Sequence, residues 1–298
     1  MELVLALGGG GAKGHAHLGV LRCLEEAGIK VAAIAGTSAG GIIGACYAAG
    51  YTPDELVDYF QQLDQGTLYG RRPEDGPSLL GVAGLNQMFE ELLGERTFDD
   101  LQVPLTLTAV DINSGCEVLL REGRVVDAVL ASMAIPGIFP PKAWNGALLV
   151  DGGVVDPVPV GPARQMTPGM PVIAVSLTAP PENARDLPAM IPSSDIPVFE
   201  YVARTRVAQA FNIFVQSINI STASLAELRL QLDRPDVLLR PDVLDIGVLD
   251  YVNVAELARR GEAEARAHLP EIRRAAGWAG ALRRKVRVAW HAQEARLE

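Results

Sequence analysis

Apolar positions in this chain gather into short continuous runs, and glycine, proline and turn residues punctuate them at intervals that alternate between strand length and helix length. Residues 2–7 read as a first strand, 8–14 as a glycine loop, and 15–27 as a helix stopped by Gly28. Residues 31–35 form a second apolar strand. The following 39–49, rich in alanine, glycine and isoleucine, predict a helix closed by Gly50. Thr52-Pro53-Asp54-Glu55 has capping-box form and starts a helix to about Leu63. Beyond it come strands at 104–110 and 117–120 joined by Asn113-Ser114-Gly115, a helix at 125–134, a proline-rich loop at 135–141, and strands at 147–150 and 171–177. Asn253 is placed to cap a helix from Val254 to about Leu269, with Pro270 starting the next. Residues 64–95 and 179–196 read as loop-rich interruptions, and loops of that length commonly serve as lids.

Alternating strands and helices imply an α/β fold of three layers, with a mostly parallel central sheet between helices. In such sheets, ligands bind at the carboxyl ends of the strands. Residues 31–53 carry no charge, a stretch long enough to span a bilayer, but Gly36, Gly40, Gly41, Gly44 and Gly50 divide it into a buried strand, turn and helix. The amino-terminal run carries Glu2 and no basic segment, so it reads as a strand and not as a signal peptide.

Composition narrows the function classes. With 298 residues and 49% hydrophobic content the chain can bury a large core, as one domain or as one with a small appendage. Cys23, Cys46 and Cys116 are widely spaced and odd in number, which suggests a reducing, cytoplasmic location and no zinc site. His15 and His17 stand two apart and so do not share a helical face as a metal pair would. A net charge of −10 argues against nucleic acid as a partner. Residues 271–298 hold six Arg and one Lys against three Glu, so this tail carries +4 and the rest −14. A solvated helix face explains the tail better than contact with an anionic surface.

Three motifs carry candidate chemistry. Gly36-Thr37-Ser38-Ala39-Gly40 lies where a strand hands over to a helix, so Ser38 is a candidate nucleophile on a strained turn, with the small Gly36 and Gly40 letting neighbouring backbone pass. The run Gly8 to Gly14 contains G-x-G-x-x-G, the form of a dinucleotide fingerprint, but Ile34, Ala35 and Gly36 stand where a ribose-binding acid is needed. His15 likewise stands where a phosphate-binding loop needs its lysine. The other use of such a loop is an oxyanion hole, built from amides around Gly10 and Gly11 with Ala39. Lys13 either neutralises charge there or is a surface lysine. In Asp151-Gly152-Gly153 an aspartate ends a strand on the same rim as Ser38, either as a site acid or as a turn residue. Asp111 reads as structural support for the turn after it. Finally, Phe211, Phe214, Val215 and Ile218 make a helical apolar stripe, which suits core packing first and an acyl groove or bilayer contact second.

With these motifs in order, and with Ala131-Ser132-Met133-Ala134-Ile135-Pro136-Gly137 between them, residues 2–178 resemble the patatin-like phospholipases, in particular the small bacterial members related to the neuropathy target esterase domain. The resemblance implies a patatin-like catalytic domain at 1–268 with a carboxyl-terminal helical extension at 269–298. It implies a Ser38–Asp151 dyad without histidine, in which Asp151 takes the serine proton directly. Gly9, Gly10, Gly11, Lys13, Gly14 and Ala39 would form the oxyanion hole, with Gly36, Gly40, Gly152 and Gly153 supporting it and Phe211 and Phe214 as acyl-chain contacts. No metal or organic cofactor is expected, and the substrate would be a lipid or other acyl ester, met in the cytoplasm or at the inner face of the membrane. A Ser-acid-His triad would need His268 or His291, both in charged helical stretches near the tail. The alternatives are a catalytically silent regulatory protein on the same fold and a nucleotide-binding oxidoreductase; oligomeric state is left open.

Overall fold

The computed structural model describes residues 1–70, 76–178 and 206–277, with Gly280. Its strands are β1 (Glu2–Leu7), β2 (Lys30–Thr37), β3 (Leu105–Asp111), β4 (Glu117–Leu120), β5 (Lys142–Trp144), β6 (Ala147–Asp151), β7 (Val172–Val175) and β8 (Val237–Leu239). The helices are α1 (Ala16–Glu26), α2 (Ala39–Ala48), α3 (Pro53–Gln62), α4 (Ala83–Leu93), α5 (Val125–Ser132), α6 (Val160–Met166), α7 (Arg206–Asp233) and α8 (Val254–Ala276). All eight strands join one sheet. Alternation along β1 divides the core: Leu3, Leu5 and Leu7 pack with α1, α2, α3, α5 and α8 on one face, while Val4 and Ala6 pack with α6 and Leu230 of α7 on the other.

The pairing of β3 decides where the site falls. Leu107 and Thr108 pair with β4 on one flank and with Gly36 and Thr37 of β2 on the other. Ala109 and Val110 also pair with β4, so their other partners, Asp151 and Val150 of β6, lie on the β2 flank. Strands β2 and β6 therefore share one flank of β3, end to end. One is parallel to β3 and the other antiparallel, so their carboxyl ends face each other. The rest of the sheet is as expected: β1 pairs in parallel with β2 and β7, and β7 with β8.

Local signals account for most boundaries. The Thr52 hydroxyl accepts the Glu55 N–H while Glu55 accepts the Thr52 N–H at 2.8 Å, with Pro53 in the first turn of α3. Asn253 accepts the Glu256 N–H at 2.9 Å and starts α8. Three expectations need correction. The 64–95 interruption contains α4, whose Leu85, Met88, Phe89, Leu92 and Leu93 are buried, so it is not simply a loop. Pro270 does not start a new helix but lies inside α8, which runs through position 268/269 without a break. The apolar stripe from Phe211 to Ile218 lies in the first half of the longer α7; the 179–196 segment and His291 lie outside the described residues.

Helix α1 crosses α8 at backbone contact. A Cβ on Gly19 would stand 1.7 Å from the Ala258 carbonyl oxygen, and one on Gly261 would stand 1.8 Å from that of Ala16. Replacing Gly261 with valine should force the helices apart and cost about 3 kcal/mol in urea unfolding. Gly70→Ala, whose added methyl would find its nearest neighbour at 3.7 Å, should change stability by less than about 0.5 kcal/mol.

Candidate active site

Ser38 occupies the single residue between β2 and α2, with φ 52° and ψ −119°. A side chain in that region of backbone space costs on the order of 1–3 kcal/mol, so the turn must be imposed by its surroundings. Those surroundings are close backbone contacts. A Cβ on Gly40 would stand 2.1 Å from the Leu7 carbonyl oxygen, so the start of α2 lies directly on the end of β1. Ser132 at the end of α5 accepts the Ser38 N–H through Oγ at 3.0 Å, which fixes the turn from the opposite side. Before it, the Thr37 hydroxyl contacts Thr108 Oγ1 at 2.7 Å and donates to the Asp156 carbonyl at 2.9 Å.

Asp151 ends β6 and meets the serine across the strand junction, where its carboxylate interacts with the Ser38 side chain. The Gly153 N–H donates to Asp151 Oδ1 at 2.7 Å, and a Cβ on Gly152 would stand 2.1 Å from Thr108 Oγ1, so no larger residue fits there. Burial pushes the Asp151 carboxyl up to about 6, against the lowering effect of the neighbouring Ser38 hydroxyl and the Gly153 N–H. Both Ser38 and Asp151 are only 6% exposed, yet both line a cavity.

The glycine loop crosses directly above them. The Gly9 N–H donates to Pro157 and the Ala12 N–H to Val248, at 3.0 and 2.8 Å. Among the described residues no acceptor takes the N–H of Gly10, Gly11 or Ala39. Gly11 has φ +59°, and a Cβ there would stand 2.2 Å from the Val248 carbonyl oxygen, so this position requires glycine on both counts. Gly9 packs toward the Ser38 Cβ and Gly14 toward the Ala39 Cβ. Lys13 is buried in the cavity wall and is not a surface residue; burial lowers its pKa against the raising fields of Asp250 and Asp245.

Of the described histidines, His15 lines the apolar cavity that reaches Ser38, with Nδ1 2.8 Å from the Ala12 carbonyl, while His17 and His268 line neither cavity there. His17 is fully buried, donates from Nε2 to the Gly8 carbonyl at 2.8 Å, and is held neutral by burial with its pKa lowered to about 4. His268 donates to the Glu264 carbonyl on α8 and lines neither cavity that reaches Ser38. Asp111 receives N–H or O–H bonds from Asn113, Ser114 and Leu148 and supports its turn, as expected. All three cysteines are free, and the described residues hold no cluster of metal ligands.

Two cavities meet at Ser38. One, of about 120 Å³, runs between α2, α3 and α4 and is walled by apolar residues including Phe60, Leu68, Leu85, Met88 and Phe139. The other, also of about 120 Å³, holds Gly9 to Gly11, Lys13, Asp151, Asn219 and Thr222. Phe214 is 53% exposed and lines neither; the Phe211 side chain lies outside the described residues. Ile218, one turn from Phe214, does line the second cavity. Sequence reasoning missed the support given by Ser132, Thr108 and Asp156. For Ser132 the signal was its place within the Ala131 to Gly137 motif; for the others no local signal exists.

Comparisons to known proteins bear on the family and the fold. The chain is 36% identical over 179 residues to an uncharacterised NTE family protein of Mycobacterium tuberculosis, a match covering 59% of this chain and 49% of that protein. It is 31% identical over 171 residues to the mouse patatin-like phospholipase domain-containing protein 6, covering 55% of this chain and 13% of that one. The chain thus spans about half the length of the mycobacterial relative it matches. Among solved structures, VipD from Legionella pneumophila shares the fold with a TM-score of 0.53 at 14% identity, covering 90% of this chain and 66% of VipD. The profile of the patatin-like phospholipases matches residues 5–164, just over half of the chain and a span that contains Ser38 and Asp151, so the chain belongs to the patatin-like phospholipase family.

Proposed function

We propose that the protein hydrolyses acyl esters of lipids, with Ser38 as nucleophile and Asp151 as its general base. The observation that carries this reading is the convergence of β2 and β6, which brings a strained serine and a buried carboxylate together under amides with no acceptor of their own. Asp151 takes the hydroxyl proton as Ser38 attacks the ester carbonyl, then returns it to the departing alcohol. The acyl-enzyme is released by water through the same two residues. Amides of Gly10, Gly11 and Ala39 stabilise the tetrahedral oxyanion, and each such donor is worth on the order of 3 kcal/mol. Ser38 cannot offer its own N–H, which Ser132 already accepts.

The acyl chain lies in the apolar cavity between α2, α3 and α4, and the alcohol portion faces the cavity with Lys13 and Asn219. Substrate arrives at a lipid surface touched by α7. Ile213, Phe214, Ile220, Leu228 and Leu232 are exposed and fall within roughly a third of the helix circumference, while Ile218, Asn219, Thr222 and Ala223 on another face wall the cavity. Among the described residues no helix is long and apolar enough to cross a membrane.

Ser38→Ala should abolish both ester turnover and labelling by a fluorophosphonate probe; a wild-type protein that is folded yet unlabelled would sink the proposal. For the base, kcat/KM should rise about tenfold per pH unit up to about 6 and then level, as Asp151 ionises. The same burial acts on stability in the opposite sense. Because the folded state binds this proton more tightly than the unfolded chain does, stability falls as pH rises from the ordinary aspartate range to about 6. Asp151→Asn should therefore be inactive and, at neutral pH, more stable by up to about 3 kcal/mol in urea unfolding.

Leu85→Trp, which fills the apolar cavity, should lower the ratio of kcat/KM for a laurate ester to that for a butyrate ester at least about tenfold. Equal losses on both esters would place the acyl chain elsewhere. Phe214→Asp together with Leu228→Asp should reduce co-sedimentation with phosphatidylcholine vesicles several-fold.

A further inference from the structure

Behind the catalytic cavity lies a buried acid cluster that the chemistry above does not use. Asp156 follows Asp151 by five residues, its N–H bonded to Gly152 and its carbonyl accepting the Thr37 hydroxyl. Its carboxyl is wholly buried. Asp156 Oδ2 stands 3.5 Å from Nη2 of Arg229 on α7, and Glu117 Oε2 of β4 stands 3.8 Å from the same nitrogen. Asp233, one turn further along α7, adds a third acidic field. Both carboxylate oxygens of Asp156, one each of Glu117 and Asp233, and the Arg229 Nε are buried without hydrogen-bond partners. One half-buried guanidinium thus faces three acids, of which Asp156 is wholly buried.

We infer that Asp156 is a positioning residue for the reaction: its carbonyl holds Thr37 and the serine turn, while its carboxyl, paired with Glu117, seats Arg229 and so fixes the α7 wall of the cavity against the catalytic strand ends. Three elements that share no neighbouring sequence meet at this residue. Arg229 lies about two turns beyond Thr222 and Ala223, which wall the cavity on the same helix.

Burial of Asp156 and the closeness of Glu117 favour a proton shared by the two carboxyls. Burial pushes the Asp156 carboxyl up to about 8, with Arg229 pulling it down and Glu117 and Asp233 pushing it further up; burial also raises Glu117. Below that range the neutral acid and Glu117 share Arg229. Above it, Asp156, Glu117 and Asp233 all carry charge against one guanidinium, and the repulsion bears on α7. Because the folded state holds this proton more tightly than the unfolded chain, the seat weakens as pH rises through about 8.

For its kinetics the inference rests on the acyl-hydrolase reading, so the deciding measurement is independent of turnover. Hydrogen–deuterium exchange of residues 213–232, corrected for the intrinsic rate, is compared at about pH 7 and about pH 9 in wild type and Asp156→Asn. Wild-type α7 should lose protection at least about fivefold at the higher pH, and the variant should not. In parallel, kcat/KM for a butyrate ester should fall in wild type above about pH 8 and keep its plateau in Asp156→Asn, with the acid limb near 6 present in both. Unchanged α7 protection in wild type, or the same loss in both proteins, overturns the inference. A protein that cleaves no ester removes the acyl-hydrolase reading and leaves the exchange result to decide. If Asp156→Asn does not fold, Glu117→Gln removes the other charge of the pair and is held to the same outcomes.

Discussion

The structure depends on β3 serving two strands along one flank. β2 covers its first half and β6 its second, and because they run in opposite directions their carboxyl ends collide at Thr108. Two polypeptide ends can meet there only if nothing bulky intervenes. Thr37 fits by bonding Thr108 through its hydroxyl, and Gly152 fits by having no side chain. The serine and the acid are then neighbours by necessity of sheet pairing, and no long loop has to be ordered to bring them together.

Within that junction the protein holds two unfavourable states, a left-handed serine and a carboxyl buried away from water. Both would relax if the surroundings yielded, so the surroundings are dense: β1 lies on the start of α2, α5 presents Ser132, and the glycine loop closes from above. The burial that raises the Asp151 carboxyl also makes it a poorer guest in the folded state, so the basicity that the proposed reaction would draw on and the cost to stability have one origin.

The sequence carried the parts of this arrangement that are local. Continuous apolar runs marked β1, β2, β3 and β6 because these strands are buried on both faces, and the capping residues Thr52 and Asn253 marked two helix starts. Ser38, Asp151 and the glycine loop were legible because their motifs are contiguous. What was not legible is long-range or marginal. β5 and β8 have three residues each, too few for a pattern. α4 hides in a stretch punctuated by glycine and proline, and Pro270 is a stop signal that the packing of α8 on α1 overrides. The antiparallel sense of β6, the burial of Lys13 and the apolar cavity assembled from residues between Ile42 and Val252 exist only after folding.

Val248 binds the amide of Ala12 and packs on Gly11, so a loop from the last quarter of the chain holds the glycine turn of the first. The glycine turn and its clamp are therefore encoded more than 200 residues apart. In a chain leaving the ribosome, β2, β3 and β6 could pair long before Val248 emerges to clamp the glycine turn.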